Sequence, residues 1–375
     1  MADDLSPDRK SRIAEMEAVL RSNPADVRSR VRLAQALEGE ARDLAAAIEV
    51  LHQGLDVCVF PSEKALLHYE ASTLLMANNQ LVEAKREIED ALILQPNDPF
   101  YWDRFILIGC RLGLHKEVLQ RLSEWEEREP GRYAVRRCKK AVQRFRSFSR
   151  ARLKTGFSYK EEIYGLYGAA ALGAPEDDGI DIWKYYFYVF DEYDTAHVLF
   201  RFVSLVEGMG IPITSVVPAK DGFSLPIALA MADMLRLPVK HVDDGFRGER
   251  PILVKAWGYE TQTLMEDRAR IESSHPERVC SFVFSGTRIF RHEIPPDFVA
   301  VETVASLSWE SDVDCSEDSP RGRMNWAKAE EYAKKIVSAL DAVREYEQNI
   351  DKQVEWYVKK HPYLACLEEP TAWTD

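Results

Sequence analysis

No apolar run in the 375-residue sequence approaches the roughly 18 to 20 residues that a membrane-spanning helix needs. The six cysteines are scattered, and no two of them stand at the spacing of a metal site. No apolar signal segment lies near Met1, so we expect a cytoplasmic protein with reduced cysteines. These absences argue against a membrane protein, a disulfide-stabilised secreted domain and a metal-dependent site.

Positive charge is also scarce, since 49 Lys and Arg residues stand against 62 Asp and Glu residues and the net charge is -13. Nucleic acid is therefore not the expected partner. The exception lies between Arg132 and Lys154, where basic residues accumulate without any acid. Apolar residues at helical spacing in this stretch predict a capping helix. Its solvent-facing basic face would include Arg136, Lys140 and Arg144, and leaves phosphate groups, an acidic partner or nucleic acid open as ligands.

A period of about 34 residues runs through the first third of the chain. Two successive units close at Pro96 and Pro130, and an earlier, longer unit begins near Val27. The packing positions of these units are occupied by Ala71, Ala84, Ile88, Ala91 and Trp102. The pattern resembles the tetratricopeptide repeat. This resemblance implies a stack of helical hairpins that binds a protein partner.

A change of composition follows the repeats. Residues 156–182 are rich in Gly, Ala, Pro and acid, which predicts a lead-in to a second domain. Short apolar runs then alternate with helical segments, as in a parallel α/β sheet. The predicted strands are 213–218, 239–242, 252–256, 279–284 and 299–304, and the predicted helices between them are 196–209, 225–235 and 263–273. The expected domains are therefore repeats at 1–155, an α/β domain at 183–320 and a helical segment at 321–375.

One strand-to-helix junction is a candidate ligand site. Ligands of open parallel sheets bind beyond the carboxyl ends of the strands. The junction after the strand at 213–218 opens an apolar helix, where backbone amides can hold an anion and a lysine adds positive charge. Its candidate residues are Lys220, Asp221, Gly222, Phe223 and Ser224. A purely structural turn is the alternative, because many α/β folds turn a corner in this way.

From about Trp183 to Trp309, the order and spacing of these segments resemble type I phosphoribosyltransferases, most nearly the orotate type. The resemblance implies that the junction at Lys220 holds pyrophosphate. It also implies a second, phosphoribosyl-binding loop, in which the candidate contacts are Lys255, Tyr259, Thr261 and Thr263. The chain departs from the family in this loop, because Lys255 and Ala256 stand where the family has two acidic residues.

Two functions follow from these features. The first is an interaction or sensory adaptor, in which the repeats bind a protein and a degenerate, non-catalytic α/β domain binds a nucleotide or another phosphate-bearing ligand. The second is an enzyme that acts on a nucleotide or phosphoribosyl substrate with an altered loop. Replacement of both acids favours the adaptor, because a shared fold does not carry activity when the site residues differ. The sequence assigns no catalytic residue, no metal site and no definite cofactor.

Overall fold

The computed structural model describes residues 7–39, 42–173, 188–257, 261–286, 295–301, 305–315, 322–344, 347–359 and 364–367. The chain divides into two compact units, Met1–Gly156 and Phe157–Asp375. The described part of the first unit is helical. Its helices are α1 Pro7–Ser22, α2 Val27–Gly39, α3 Leu44–Val57, α4 Pro61–Ala77, α5 Leu81–Leu94, α6 Pro99–Arg111, α7 His115–Arg128, α8 Tyr133–Phe145 and α9 Arg150–Thr155.

Polar caps or prolines mark the starts of α3, α4, α6 and α9. The Asp43 side chain accepts a hydrogen bond from the backbone N–H of Ala46 at the start of α3. At the start of α6, Asp98 accepts one from the N–H of Phe100, and Pro99 occupies the first helical turn. A side-chain acceptor satisfies an N–H that has no partner within the helix, and proline does not need one. The apolar repeat is thereby divided into separate helices.

Successive hairpins contact one another at intervals close to the period of the repeat. Helix α2 packs on α3, α4 on α5 and α6 on α7, while α2, α4, α6 and α8 also contact each other in turn. His52 binds Glu87 across 35 positions, and Arg137 binds Asp103 across 34 positions. Side-chain contacts thus recur with the period of the sequence. The structure confirms the predicted tetratricopeptide-like stack of helical hairpins.

The interior of the stack contains the small and large residues of the repeat. Those that are buried include Ala71, Ala84, Ile88, Ala91 and Trp102. The Trp102 ring stacks on Trp125 with centroids 4.8 Å apart, and its indole N–H donates to the Pro96 carbonyl at 2.8 Å. Pro96 is half-buried, whereas Pro130 is exposed beyond the end of α7. Pro130 therefore belongs to a turn and does not pack in the interior.

The second unit is built on parallel strands. Its elements are α10 Tyr159–Tyr167, β1 Ala170–Ala171, β2 Tyr188–Phe190, α11 Glu192–Met209, β3 Ser215–Pro218, α12 Ser224–Leu235, β4 Pro251–Trp257, α13 Thr261–Glu272, β5 Cys280–Ser285, β6 Phe298–Val301, β7 Ala305–Leu307, α14 Trp326–Ser338, α15 Leu340–Val343 and α16 Glu347–Val358. The main sheet has the order β1-β6-β5-β4-β3, and β2 pairs separately with β7. All these pairs are parallel. The predicted parallel α/β fold is confirmed.

The strands β3, β4, β5 and β6 are continuous apolar runs in the sequence because they are buried in the structure. Almost every residue of these four strands is buried, as expected for parallel strands that are covered on both faces. Helix α14 packs on α11 and α12, and α16 packs on α11. The neighbouring strands β3 and β4 are parallel, so their carboxyl ends lie at the same edge of the sheet. That edge carries the candidate junction.

The predicted strand at 239–242 is wrong. Only Val239 forms a bridge, with Val216 of β3. The Lys240 N–H completes that bridge by donating to the Val216 carbonyl at 2.9 Å, but the following N–H, that of His241, donates to the Asp244 carboxylate at 2.6 Å. The chain therefore turns away after a single bridge. The predicted strand at 299–304 ends at Val301 in β6, and residues 302–304 lie outside the described residues.

The predicted lead-in at 156–182 contributes to the second unit where it is described. It supplies α10 and the strand β1, which pairs with β6 at the edge of the main sheet. The hydroxyl of Tyr357 in α16 accepts a hydrogen bond from the N–H of Ala171 in β1 at 2.8 Å. Across the parts of the chain that the structure describes, no helix combines the length and hydropathy needed to cross a membrane.

Candidate functional site

The junction between β3 and α12 is closed by hydrogen bonds within the second unit. The N–H of Lys220 donates to Asp267 at 2.9 Å, and the N–H of Gly222 donates to the Gly322 carbonyl at 3.2 Å. The N–H of Ser224 donates to the Asp221 carboxylate at 2.7 Å. The chain's own acceptors therefore occupy three of the amides that an anion would need.

Asp221 takes the place that an anion would occupy at the start of α12. One of its carboxylate oxygens accepts from the Ser224 N–H, and the other lies 3.4 Å from the ammonium of Lys255 on β4. The side chains of Lys255 and Asp221 are 5% and 10% exposed. A negative charge at a helix N-terminus is stabilised by the helix dipole, and the buried lysine supplies a second source of stabilisation.

A second contact joins the start of α12 to β4. Ser224 is fully buried, and its hydroxyl accepts a hydrogen bond from the N–H of Ala256 in β4 at 2.8 Å. The junction at Lys220 and the beginning of the predicted phosphoribosyl loop thus meet at one edge of the sheet. Lys255 and Asp221, which are 34 positions apart in sequence, form the link between them.

Lys220 and Lys255 have different partners. The Lys220 ammonium binds both carboxylate oxygens of Asp243, at 3.0 and 2.7 Å. Arg270 approaches the same carboxylate at 3.4 Å. The hydrogen bond from Lys220, together with the positive charges of Lys220 and Arg270, lowers the pKa of the Asp243 carboxyl below its usual value. Lys220 therefore belongs to a partly exposed cluster, whereas Lys255 is buried.

Aromatic rings and a glycine complete the junction. The Phe223 ring lies edge-to-face with Trp257 at a centroid distance of 6.4 Å, and the Trp309 indole N–H donates to the Phe223 carbonyl at 3.1 Å. A Cβ on Gly222 would stand 2.9 Å from the backbone of Arg323, so no side chain fits at this position. The glycine is required for close packing against a later segment of the same unit.

The remaining loop candidates are described only in part. Thr263 is half-buried near the start of α13. Thr261 begins that helix, and nothing is described of its side chain. Tyr259 lies outside the described residues. Among the residues that the structure does describe, no group of three or more His, Cys, Asp or Glu side chains is arranged to hold a metal ion.

The basic stretch after the repeats is largely internal or paired. Arg144 was predicted on a solvent-facing basic face, but the structure corrects this position, since its side chain is 2% exposed on α8. Arg137 forms a buried ion pair with Asp103 of α6 at 2.8 Å. Lys139 pairs with Glu126. Arg136 and Lys140 are half-buried. Among the side chains described in this stretch, Arg137 and Arg144 are therefore removed from the predicted basic face, whereas Arg146 is exposed.

The partners of these charges could not be read from local sequence. Asp267 lies 47 positions from the Lys220 amide that it accepts, and Asp243 lies 23 positions from Lys220. Asp221 carried a usable signal, because an aspartate three residues before the N–H of a first helical turn is typical of a helix cap. That signal points to a structural role for the Asp221 carboxylate.

Comparison with known proteins gives limited similarity. No family model matches the sequence, and no curated protein matches it. Among solved structures, MamA is 17% identical, with 42% of this chain and 88% of MamA covered and a TM-score of 0.29. YrrB, described as a TPR protein with an unusual peptide-binding site, is 17% identical over 35% of this chain and 66% of YrrB, with a TM-score of 0.27.

A third similarity is to a purine phosphoribosyltransferase from Pyrococcus horikoshii. It is 11% identical, with 33% of this chain and 95% of the enzyme covered and a TM-score of 0.29. Similarities at these scores carry no argument about function.

Proposed function

We propose that this protein is an interaction adaptor in which the helical stack binds a protein partner and the α/β unit is non-catalytic. The observation that carries the proposal is the buried pair of Asp221 and Lys255 at the edge of the sheet. An enzyme that binds a phosphorylated substrate there would need the amides and the cation that this pair already engages. The stack offers a large surface of stacked hairpins for a partner.

The α/β unit retains one place for a phosphate-bearing ligand. Lys220 and Arg270 both bind the Asp243 carboxylate, which is 57% exposed. A phosphate group could compete with this carboxylate for the same two cations, because both are charge-assisted acceptors. Binding there would require neither Lys255 nor the amides of the junction, and would not place a substrate for phosphoribosyl transfer.

Calorimetry on the full chain tests the proposal. Phosphoribosyl diphosphate, nucleotides and nucleobases are titrated into the wild type and into Lys220→Ala. We expect no tight binding of phosphoribosyl diphosphate by either protein. Tight binding by the wild type that persists in Lys220→Ala would instead place the ligand at the junction itself and would support the enzyme with an altered loop. The resemblance to phosphoribosyltransferases would then extend to the site.

The partner-binding role has a separate test. Chemical crosslinking of the full chain in its native extract, followed by mass spectrometry, maps the residues that join it to other proteins. A partner identified in this way is then purified and titrated with the full chain. We expect its crosslinks to fall in α1 to α9. A partner that binds only through the second unit would contradict this part of the proposal.

A further inference from the structure

A groove lies between α1 and α2 in the helical stack. Its volume is about 250 Å³, and it is lined by Arg12, Glu15, Met16, Val19, Ser29 and Arg32. We name these six residues the end groove. The four residues from α1 are separated by three, one and three positions, so they share one side of that helix. The two residues from α2 are three positions apart and also share a side. The end groove is therefore built from adjoining sides of two packed helices.

The size of the end groove suits a side chain of a longer segment better than a complete small molecule. Pockets that enclose a drug-sized ligand have volumes of about 300 to 1,000 Å³. At about 250 Å³, the end groove admits one large side chain with part of its main chain. Val19 is 46% exposed and Met16 is half-buried, so both present apolar surface to that occupant. Methionine adapts to apolar partners of different shapes, and methionine and arginine are both enriched at protein interfaces.

Each helix contributes an arginine to the end groove. Arg12 of α1 and Arg32 of α2 are both exposed, and Arg32 forms no ion pair with another residue that the structure describes. The carboxylate of Asp26 is engaged at the start of α2, where it accepts from the N–H groups of Arg28 and Ser29 at 3.0 and 3.3 Å. The Ser29 hydroxyl donates to the same carboxylate at 2.7 Å. The positive charge of Arg32 is therefore available to an anionic ligand.

Glu15 is the acid of the lining, and its carboxylate accepts a hydrogen bond from the Ser11 hydroxyl at 3.4 Å. Two arginines and one glutamate leave the end groove with one net positive charge. The whole chain has a net charge of -13, so a second copy of it would be repelled by like charge. A positive lining beside apolar side chains is complementary to a ligand in which a carboxylate stands next to an apolar group.

We propose that the end groove docks a short acidic segment of a partner protein, in which a large apolar side chain stands next to aspartate or glutamate. The apolar side chain packs on Met16 and Val19, and the carboxylate binds Arg12 and Arg32. The proposal rests on the interaction role proposed above, and it names the surface and the chemistry of the partner. Arginine binds a carboxylate through two parallel hydrogen bonds, which orients the segment. Salt screens exposed charges, so binding is expected to weaken as the salt concentration rises.

The test uses the full chain and a labelled peptide in which one leucine is flanked by two glutamates in a background of glycine and serine. One reference peptide has serine in place of leucine, and the other has glutamine in place of both glutamates. We expect fluorescence anisotropy to show about tenfold tighter binding of the leucine–glutamate peptide than of either reference. Arg12→Gln/Arg32→Gln should remove the preference for glutamate, and Val19→Ser should weaken the preference for leucine. Glu15→Gln should tighten binding, because it removes a charge that repels the peptide.

Two matched controls lie outside the end groove. Arg21→Gln/Arg28→Gln removes the same number of positive charges from exposed positions of α1 and α2, and it should leave the preference for glutamate intact. Val82→Ser changes a valine that is 53% exposed near the start of α5, and it should leave the preference for leucine intact. All the substituted side chains are exposed, so the melting temperatures should remain close to that of the wild type.

Each other outcome overturns the inference in a distinguishable way. Equal binding of the three peptides, or equal loss in the two double arginine variants, removes the end groove as a specific site. Displacement of the peptide by an equal concentration of hexanoate assigns the groove to a small amphipathic carboxylate. Self-association that sedimentation detects and that Val19→Ser abolishes assigns it to a second copy of the chain. Crosslinks from a partner that fall only in α3 to α9 remove the end groove while the interaction role survives, whereas crosslinks confined to the second unit remove both.

Discussion

At the scale of single residues, Lys255 stands where the resembling family has an acid, and the negative charge of Asp221 balances its positive charge. A lysine buried to 5% exposure would be strongly unfavourable without a nearby negative charge. Asp221 supplies that charge from the next strand junction, and the N–H of Ser224 satisfies its second oxygen. Asp243 and Glu260 also lie near Lys255 in the sequence. Asp243 instead binds Lys220, and Glu260 lies outside the described residues.

The pair predicts a characteristic pattern of stabilities. Asp221→Asn or Lys255→Met alone leaves one buried charge without its partner, which typically costs about 3 to 5 kcal/mol. The double variant Asp221→Asn/Lys255→Met removes both charges and should recover most of that loss. Urea denaturation of the four proteins measures the coupling. If the double variant is as unstable as the sum of the single variants, the two side chains do not act as a pair.

His197 predicts a dependence of stability on pH. Burial and the positive charge of Arg201 lower the pKa of its imidazole from 6.5 to about 4. Between these two pH values the unfolded chain binds a proton that the folded chain does not. Stability should therefore be complete above about pH 6.5 and should fall as the pH is lowered toward 4. His197→Asn should flatten this decline in denaturation curves measured across the interval.

His275→Asn is the matched control for this pH effect. His275 is exposed and its φ of 58° lies in the left-handed region, which asparagine tolerates. This substitution should leave the pH dependence of the wild type intact. An unchanged profile in His197→Asn would show that the acid sensitivity arises from other groups.

At the scale of elements, the features with local causes were predictable. The helical hairpins follow from small and large residues at a fixed period, and the main strands follow from apolar runs bounded by turns. The short strand β1 carries no such signal, since it is two alanines. Its place depends on Gln353 and Tyr357 of α16, whose side chains bind the Ala171 and Leu172 backbone more than 180 positions earlier. Contacts of that range cannot be read from a local pattern.

Because α6 and α7 pack closely at Gly109, a single methyl group added at this position should lower stability. A Cβ on Gly109 would stand 2.4 Å from a methyl carbon of Val118, far inside van der Waals contact. Gly109→Ala should therefore destabilise the stack by about 1 to 3 kcal/mol despite the higher helix propensity of alanine. Val118→Ala introduced in the same chain should recover part of the loss. Chemical denaturation monitored by circular dichroism measures both changes.

Gly39 provides the comparison for this substitution. It also lies in a helix, but a Cβ there meets no other atom within 4 Å. Gly39→Ala should leave stability unchanged or raise it slightly. If Gly109→Ala lowers stability no more than Gly39→Ala does, α6 and α7 move apart to admit the methyl group without a measurable loss of stability.

At the scale of the whole molecule, the sequence predicted the location of the candidate site better than its chemistry. The junction at Lys220 does lie at the end of β3, and Lys255 does approach it from β4. The acceptors that close the junction come from Asp267 and Gly322, which only the fold brings near. Hydrogen bonds between distant segments therefore decide whether a phosphate-type turn is open or closed. No local motif carries that information.

Ligand-linked stability of the full chain gives the sharpest test of this closed junction. A ligand that binds the folded state raises the melting temperature in proportion to RT ln(1 + [L]/Kd). Inorganic phosphate should not stabilise the wild type through the junction, because the Asp221 carboxylate occupies the place between Ser224 and Lys255. Asp221→Ala should melt at a lower temperature, and phosphate should partly restore it by replacing the missing negative charge.

The double variant Asp221→Ala/Lys255→Met decides between specific replacement and a general salt effect. It lacks the buried cation that would attract phosphate, so phosphate should not stabilise it beyond the effect of chloride at the same ionic strength. Equal rescue of both variants would assign the stabilisation to preferential exclusion of the salt. If phosphate stabilises the wild type and Lys255→Met abolishes this effect, an external anion displaces Asp221. Lys255 contacts the junction through Asp221, whereas Lys220 binds Asp243 instead. The α/β unit would then be a phosphate-binding domain whose internal carboxylate is a competitor and not a permanent occupant.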